Sequence, residues 1–578
     1  MIKRAIFVAL GLAVSLAATI VYRPQQQRPD VPPSSVRALD KLTPGGALLY
    51  IEARNFSTLL RAWNDTPEKT AWLQSESYSS FSQSRLFLRL NHFLRRFGTA
   101  AGVPADTDLV AAVAGDKSAL ALYDIGKVQF VYITHLPARE FLNSELWQSR
   151  NKLQSRFAAG VTYFLGRDED AKQVVTFAIA GDYLVLATRE DLMVRTLQLL
   201  DQQPERNLAQ DSWYSAAVTA APKTAGDLRM VLDLKKIAVD PHFRTYWIQQ
   251  NISEIQGYTA VVSDLYCEGN VYREERVLLR KDRAESAGPE KPSGAVADLL
   301  RMAPSGAGFY QAQITNAEEA LDAIQEMILP QPEQPSDSGR MAPYVLLTGG
   351  EAGSESDLET RIDMPVNKAK DSPMVPAALK KQFDQAGAMA MLETQSTQRN
   401  PDGILLAMPH LLVFASARPW DANALQQAIQ SMLADQLSVS ALGLHWRAAG
   451  QSEAGKYFEL DGLHPLYLAV RDTLLYVSNQ PELLTAALQS TGTESQANGL
   501  TYVAGFSHAS ERDNFYELAG IMDRSAAPSN PYAAQAPAFF SHNIGSLSKI
   551  LARLELEKVI EREEDDKTYQ TVTYRWSQ

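Results

Sequence analysis

The sequence predicts an α+β protein: an N-terminal transmembrane anchor, then two related α+β units with mainly antiparallel sheets and packed helices. Three observations carry this. One uncharged apolar run lies near the start of the 578 residues. A strand–turn–strand–helix pattern occurs twice, far apart. Hairpin signals with intervening helices replace the regular strand–helix alternation that doubly wound and barrel folds require.

The first element is the apolar run. Lys3 and Arg4 precede Ala5 to Tyr22, which carries no charge, and Arg23 ends it. A basic start, an apolar core and a polar flank make an export signal. Its length suits the roughly 20 residues a bilayer crossing needs, so residues 1–23 are expected to stay as a signal anchor. The small residues at Ser15-Leu16-Ala17 allow the alternative, cleavage and release of a soluble body. No cysteine follows the run, which excludes a lipoprotein anchor. No later segment is long and apolar enough for a second crossing, so the body is expected on one side of an inner membrane, in the periplasm.

Residues 24–38 form the second element. Pro24, Pro29, Pro32 and Pro33 among three glutamines favour extended polyproline geometry of about 3 Å per residue, a stalk.

The third element is a unit at 39–283. Pro44-Gly45-Gly46-Ala47-Leu48-Leu49-Tyr50-Ile51 opens it as a strand, with a helix from Phe56 to Trp63. Phe177 to Ala187 reads as two strands around a tight turn at Gly181-Asp182, running into a helix from Glu190 to Leu200. Tyr258 to Cys267 and Val271 to Leu279 flank Glu268-Gly269-Asn270, a hairpin signal. Residues 284–295 follow, a Gly/Pro/Ser/Glu linker.

A second unit, 296–578, repeats these features. Pro304-Ser305-Gly306-Ala307-Gly308-Phe309-Tyr310 opens it, with a helix from Ala317 to Met327. Leu468 to Ser478 repeats the two strands and turn, and Pro481 to Gln489 the helix, with proline in its favoured first turn. A polar loop, Pro330 to Pro343, interrupts the unit. Leu554 to Arg562 and Tyr569 to Trp576 flank a charged turn, as the closing hairpin.

Composition narrows function. A formal net charge of -12 argues against nucleic acid, which demands clustered Lys and Arg, and against broad adsorption to anionic lipid. The single cysteine, Cys267, lies in an apolar stretch and reads as a core thiol.

No catalytic, cofactor or metal residues emerge. The eight histidines, His92, His135, His242, His410, His445, His464, His508 and His542, show none of the spacings of a zinc site. Gly505-Phe506-Ser507-His508-Ala509 lacks the second glycine of a nucleophile elbow, and adjacent strand residues point to opposite faces. Ser546-Leu547-Ser548-Lys549 has the Ser-x-x-Lys spacing without its partner motifs; it reads as the start of a C-terminal helix running to Leu554. Gly349-Gly350-Glu351-Ala352-Gly353 has no phosphate-binding Lys-Ser/Thr. The acids from Glu561 to Asp566 lack calcium-loop spacing.

The apolar start, the opening Leu42-Thr43-Pro44-Gly45-Gly46-Ala47-Leu48-Leu49-Tyr50 and the segment Gly181 to Ala187 resemble a proteobacterial family of membrane-anchored envelope proteins of unknown function, encoded beside bacterial alpha-macroglobulin-like proteins. The resemblance covers nearly the whole chain. It implies a periplasmic accessory of a protease-trapping system and brings no catalytic residues.

The sequence therefore points to a non-catalytic, inner-membrane-anchored accessory or scaffold protein that binds another envelope protein, an alpha-macroglobulin-like one being what the resemblance implies. The alternative is a periplasmic hydrolase with a site assembled from distant segments, His508 being its first candidate.

Overall fold

The computed structural model describes residues 36–244, 255–281, 295–300, 308–328, 377–512 and 551–577, apart from 65, 84, 137–140, 169–172, 395, 401–402, 408, 438–443, 453–454, 462–465, 491–498, 510 and 565. The expected anchor, residues 24–35 of the stalk, residues 284–294 of the linker and the Pro330–Pro343 loop lie outside them, and Ala295, expected in the linker, opens a helix. Among the described residues no helix is long and apolar enough to cross a membrane. The chain divides into two compact units: one drawn from 1–284, 519–555 and 564–578, the other from 285–518 and 556–563. Residues 564–578, placed by the sequence in the second unit, thus group with the first.

The first unit holds β1 (Leu49–Arg54), β2 (Lys117–Asp124), β3 (Gln129–His135), β4 (Gln154–Ala158), β5 (Val161–Asp168), β6 (Gln173–Ala180), β7 (Tyr183–Ala187), β8 (Leu228–Asp233), β9 (Tyr258–Glu268) and β10 (Val271–Arg280). With β22 (Lys567–Trp576) they pair antiparallel throughout, in the order β4-β5-β6-β7-β3-β2-β1-β8-β9-β10-β22. The β6–β7 and β9–β10 turns place Gly181 and Gly269 at positive φ (61° and 64°), the backbone a two-residue hairpin turn requires.

Pleating sends alternate residues to opposite faces. On one face Tyr50, Ala119, Ala121, Val131, Ile133, Val185 and Ala187 pack on α6 (Glu190–Leu200) and α7 (Ser212–Ala220). The other face, with Phe177, Leu184 and Leu186, meets a layer containing α1 (Phe56–Asn64), α2 (Pro67–Leu73), α3 (Glu76–Ser82), α4 (Arg85–Ala101) and α5 (Thr107–Val113). Phe97, Ala100 and Ala101 of α4 and Val113 of α5 are buried in that core.

A charged cluster ties β9, β10 and β22 together. Arg276 donates twice to Glu274 (2.6 and 2.5 Å) and once to Gln570 (2.9 Å), and Ser263 donates to Glu274 (2.5 Å). All four residues are buried.

The second unit holds β11 (Phe309–Ile314), β12 (Ala386–Glu393), β15 (His410–Ser416), β16 (His445–Ser452), β17 (Gly455–Asp461), β18 (Leu466–Arg471), β19 (Leu474–Ser478), β20 (Leu500–Ser507) and β21 (Leu554–Glu564). They too pair antiparallel, in the order β16-β17-β18-β19-β15-β12-β11-β20-β21. Strands β13 (Ser396–Asn400) and β14 (Gly403–Ala407) form a separate hairpin. Read strand for strand, this is the order β4-β5-β6-β7-β3-β2-β1-β8-β9 of the first unit. Here α8 (Ala317–Ile328), α9 (Ala377–Phe383) and α10 (Ala422–Leu437) pack one face, and α11 (Pro481–Gln489) the other.

The α+β class and mainly antiparallel pairing expected from the sequence are what the chain adopts. Of the helix expected from Ser546 to Leu554 the described part, Leu551–Arg553, is a short 3-10 turn, after which β21 begins as the first arm of the expected closing hairpin. The alternation Leu554, Leu556, Ile560 with charged residues between suits a half-buried strand better than a helix.

Candidate functional site

The chemically distinctive feature is a cavity of about 470 Å³ in the first unit, between the sheet and the α1–α5 layer. The sheet contributes Ile51, Leu120, Leu122, Phe130, Tyr132 and Leu186, and the helices Phe56, Phe93, Leu94, Phe97, Leu109, Val110 and Val113. Aromatic rings brace the wall: Phe97 stacks on Phe130 (6.2 Å between centroids), and Phe93 packs against both.

Its few polar groups are already engaged. Tyr132 donates its hydroxyl to the Val113 carbonyl (2.7 Å), and its oxygen lies 3.1 Å from Ser118 Oγ. Ser118 and Thr134 hydroxyls bond each other at 2.7 Å. Asp106 accepts from the Asp108 and Leu109 amides, capping α5. Burial pushes the Tyr132 phenol up to about 12, so it stays a neutral donor. Water entering would find little to bond; at roughly 30 Å³ each, about fifteen waters fit such a volume. The wall suits a hydrocarbon group, and the volume lies in the roughly 300–1,000 Å³ range of ligand pockets.

Register explains why the cavity exists. Ser118 pairs with Thr134 across β2 and β3, and Leu120 with Tyr132. At the corresponding positions of the second unit Met389 pairs with Phe414, and Met391 with Leu412. There Phe414 sits 5.0 Å from Phe383, which lies 5.4 Å from Trp420. Large apolar side chains occupy in one unit the places that small hydroxyl residues hold in the other.

A second, polar cleft in the first unit is lined by Gly45, Gly46, Arg195, Arg206, Asp211 and Lys236 among others. Three of its cations sit on acids: Arg195 on Glu205 (2.8 Å), Arg206 on Asp211 (2.7 Å) and Lys236 on Asp233 (3.0 Å). Asp211 also accepts from the Gly46 amide at 2.7 Å.

The residues weighed in the sequence are scattered. His135 bonds Asp116 (2.8 Å), His242 meets Arg89 (3.0 Å), and His410 lies 3.3 Å from Glu393. His92 and His445 are exposed; His464 and His542 lie outside the described residues. His508 follows β20, edge-on to Phe506, with Glu557 at 3.9 Å. Cys267, on β9, is half-buried; burial and Asp227 push its thiol up to about 12, the reverse of a nucleophile's requirement. The Gly349–Gly353 and Ser546–Lys549 motifs lie outside the described residues, whereas Glu561 to Glu564 end β21. Among the described residues no three His, Cys, Asp or Glu side chains gather as metal ligands.

Sequence reasoning passed over the cavity helices, although one signal was visible: α4 carries four arginines and no acid in 17 residues, within a chain of net charge -12.

No known protein family matches the sequence, and no curated protein does. Among solved structures the chain resembles crystal forms I, III and IV of TP0453, at 12%, 12% and 11% identity. These matches cover 43% of this chain and 79%, 81% and 81% of the other, with TM-scores of 0.24, 0.24 and 0.23. Superpositions that loose establish neither fold nor activity for this chain.

Proposed function

We propose that this chain is a non-catalytic binding protein of the cell envelope, whose first unit holds an apolar group in the cavity beneath α4 and α5. The observation that carries the reading is the cavity wall, built of hydrocarbon and polar groups that already have partners. An enzyme needs convergent polar groups free to act on a reacting atom. A binding site for hydrocarbon needs shape and dryness, and burial there contributes about 0.8 kcal/mol per methylene.

In this reading residues 5–22 tether the body to the inner membrane, residues 24–38 join the two, and the body lies in the periplasm. The shared strand order supports a duplicated α+β unit, one copy closed by Phe383, Phe414 and Trp420 and the other left hollow. The resemblance to envelope proteins encoded beside alpha-macroglobulin-like proteins supports an accessory role for such a partner.

The test is titration of the purified chain with cis-parinaric acid, a fatty acid that fluoresces in apolar surroundings. Saturable binding is expected, about tenfold weaker in Ser118→Met, which puts into the first unit the residue its counterpart carries. Absence of saturable binding, or indifference to the substitution, would overturn the cavity reading. For the accessory role, crosslinking in intact cells should capture one discrete envelope protein; recovery of the chain alone would count against it.

A further inference from the structure

The cavity opens beside a helix of unusual charge. On α4 the residues Phe93, Phe97, Ala100 and Ala101 share one face, and the last three are buried. Leu90 and Leu94 lie on that face too, yet are 41% and 45% exposed, and Leu88 is 56% exposed. Leu94 and Val110, itself 40% exposed, also line the cavity, so both mark its mouth.

Arg89 and Arg96 flank that face, four residues from Phe93 and Ala100 respectively, and His92 and Arg95 lie beyond them on the side away from it. Arg89 is held inward by the Gly126 carbonyl and His242, each at 3.0 Å. Arg95 and Arg96 are exposed and have no carboxylate partner among the described residues. Elsewhere in this unit Arg156, Arg195 and Arg206 each sit on an acid. A helix that leaves Leu88, Leu90 and Leu94 unburied beside the exposed Arg95 and Arg96 is built for a charged apolar boundary.

We propose that α4 docks on an anionic phospholipid surface, with one acyl chain entering the cavity past Leu94 while Arg95 and Arg96 meet lipid phosphates. The proposal rests on the hydrocarbon reading of the cavity and adds its source. An acyl chain demands no polar partner inside, as this wall requires, and its headgroup supplies an anion for the exposed Arg95 and Arg96. The acidic balance of the whole chain opposes broad adsorption, so contact is confined to this patch.

The test uses the full chain. Because residues 5–22 are expected to insert in any bilayer, the readout is α4 itself and not membrane attachment. A fluorophore is placed at Asn91→Cys in a Cys267→Ala background, and the protein is reconstituted in phosphatidylcholine vesicles with doxyl-labelled acyl chains, with or without phosphatidylglycerol. Strong quenching is expected only with phosphatidylglycerol. Arg95→Gln/Arg96→Gln should lower the docked-to-undocked ratio about thirty-fold, and Leu94→Glu should abolish docking; these exposed positions leave the fold intact by circular dichroism. Equal quenching in both vesicle types, or quenching that survives either variant, overturns the proposal. Cis-parinaric acid binding without phosphatidylglycerol-dependent quenching sinks the docking while the cavity reading stands; loss of both sinks both.

Discussion

The two units share a strand order but finish the same sheet face differently. In the second, Met389 and Phe414 oppose each other across β12 and β15, and Phe383 and Trp420 close over them. In the first, Ser118 and Thr134 hold those positions, bond each other, and leave a hollow above. The two copies thus differ at two cross-strand positions of one sheet face, with large apolar side chains in the second unit and small hydroxyl residues in the first. A dense core is the ordinary outcome of folding, so the hollow copy is the one that calls for a ligand.

The largest expected effect comes from making the solid copy hollow. Phe414→Ala should cost about 4 kcal/mol, seen as faster amide exchange across β12, β15 and β19 with the first unit unchanged. Next is Glu274→Ala, which leaves the buried Arg276 without its carboxylate and should cost about 3 kcal/mol, read by chemical denaturation followed at the first unit. Gln570, which faces Arg276 from β22, is uncharged, so Gln570→Ala should cost much less.

Turn chemistry gives a smaller contrast. Gly181 (φ 61°) and Asp472 (φ 55°) occupy the same place in the β6–β7 and β18–β19 hairpins. Gly181→Ala should cost about 1 kcal/mol, whereas Asp472→Gly should be neutral or stabilising by a few tenths, measured as opposite shifts in melting temperature.

The last contrast depends on pH. Burial, and then the charge of Glu52, raise the Asp40 carboxyl above its ordinary value. Folding therefore disfavours its charged form, and Asp40 becomes less costly as pH falls through the raised value. Asp40→Asn should melt above the unsubstituted protein at pH 7, and the gap should close on acidification. A gap that widened instead would reverse the assignment.

What could be read in the sequence was local. The turn at Gly181-Asp182, the helix from Glu190 and the hairpin around Gly269 each carry their signal within a few residues, and all form as expected. The cavity could not be read that way, because it depends on Ser118 facing Thr134, a register that only the folded sheet sets. The basic charge of α4 was visible between 85 and 101, but an average charge of -12 over the chain obscured it. The pairing of β10 with β22 joins residues as far as 304 apart, Val271 with Arg575, beyond any periodicity argument.

That pairing carries a consequence for biogenesis. The ribosome must add nearly three hundred residues after β10 before its partner strand exists, and at about 5–20 residues per second this takes tens of seconds. During that interval β10 is an open sheet edge, a template for faulty association. Its centre reads Arg273-Glu274-Glu275-Arg276, four consecutive charges that deter a passing strand. The same Arg276 later accepts Gln570 as its proper neighbour, so a guard posted during synthesis becomes a latch at its completion.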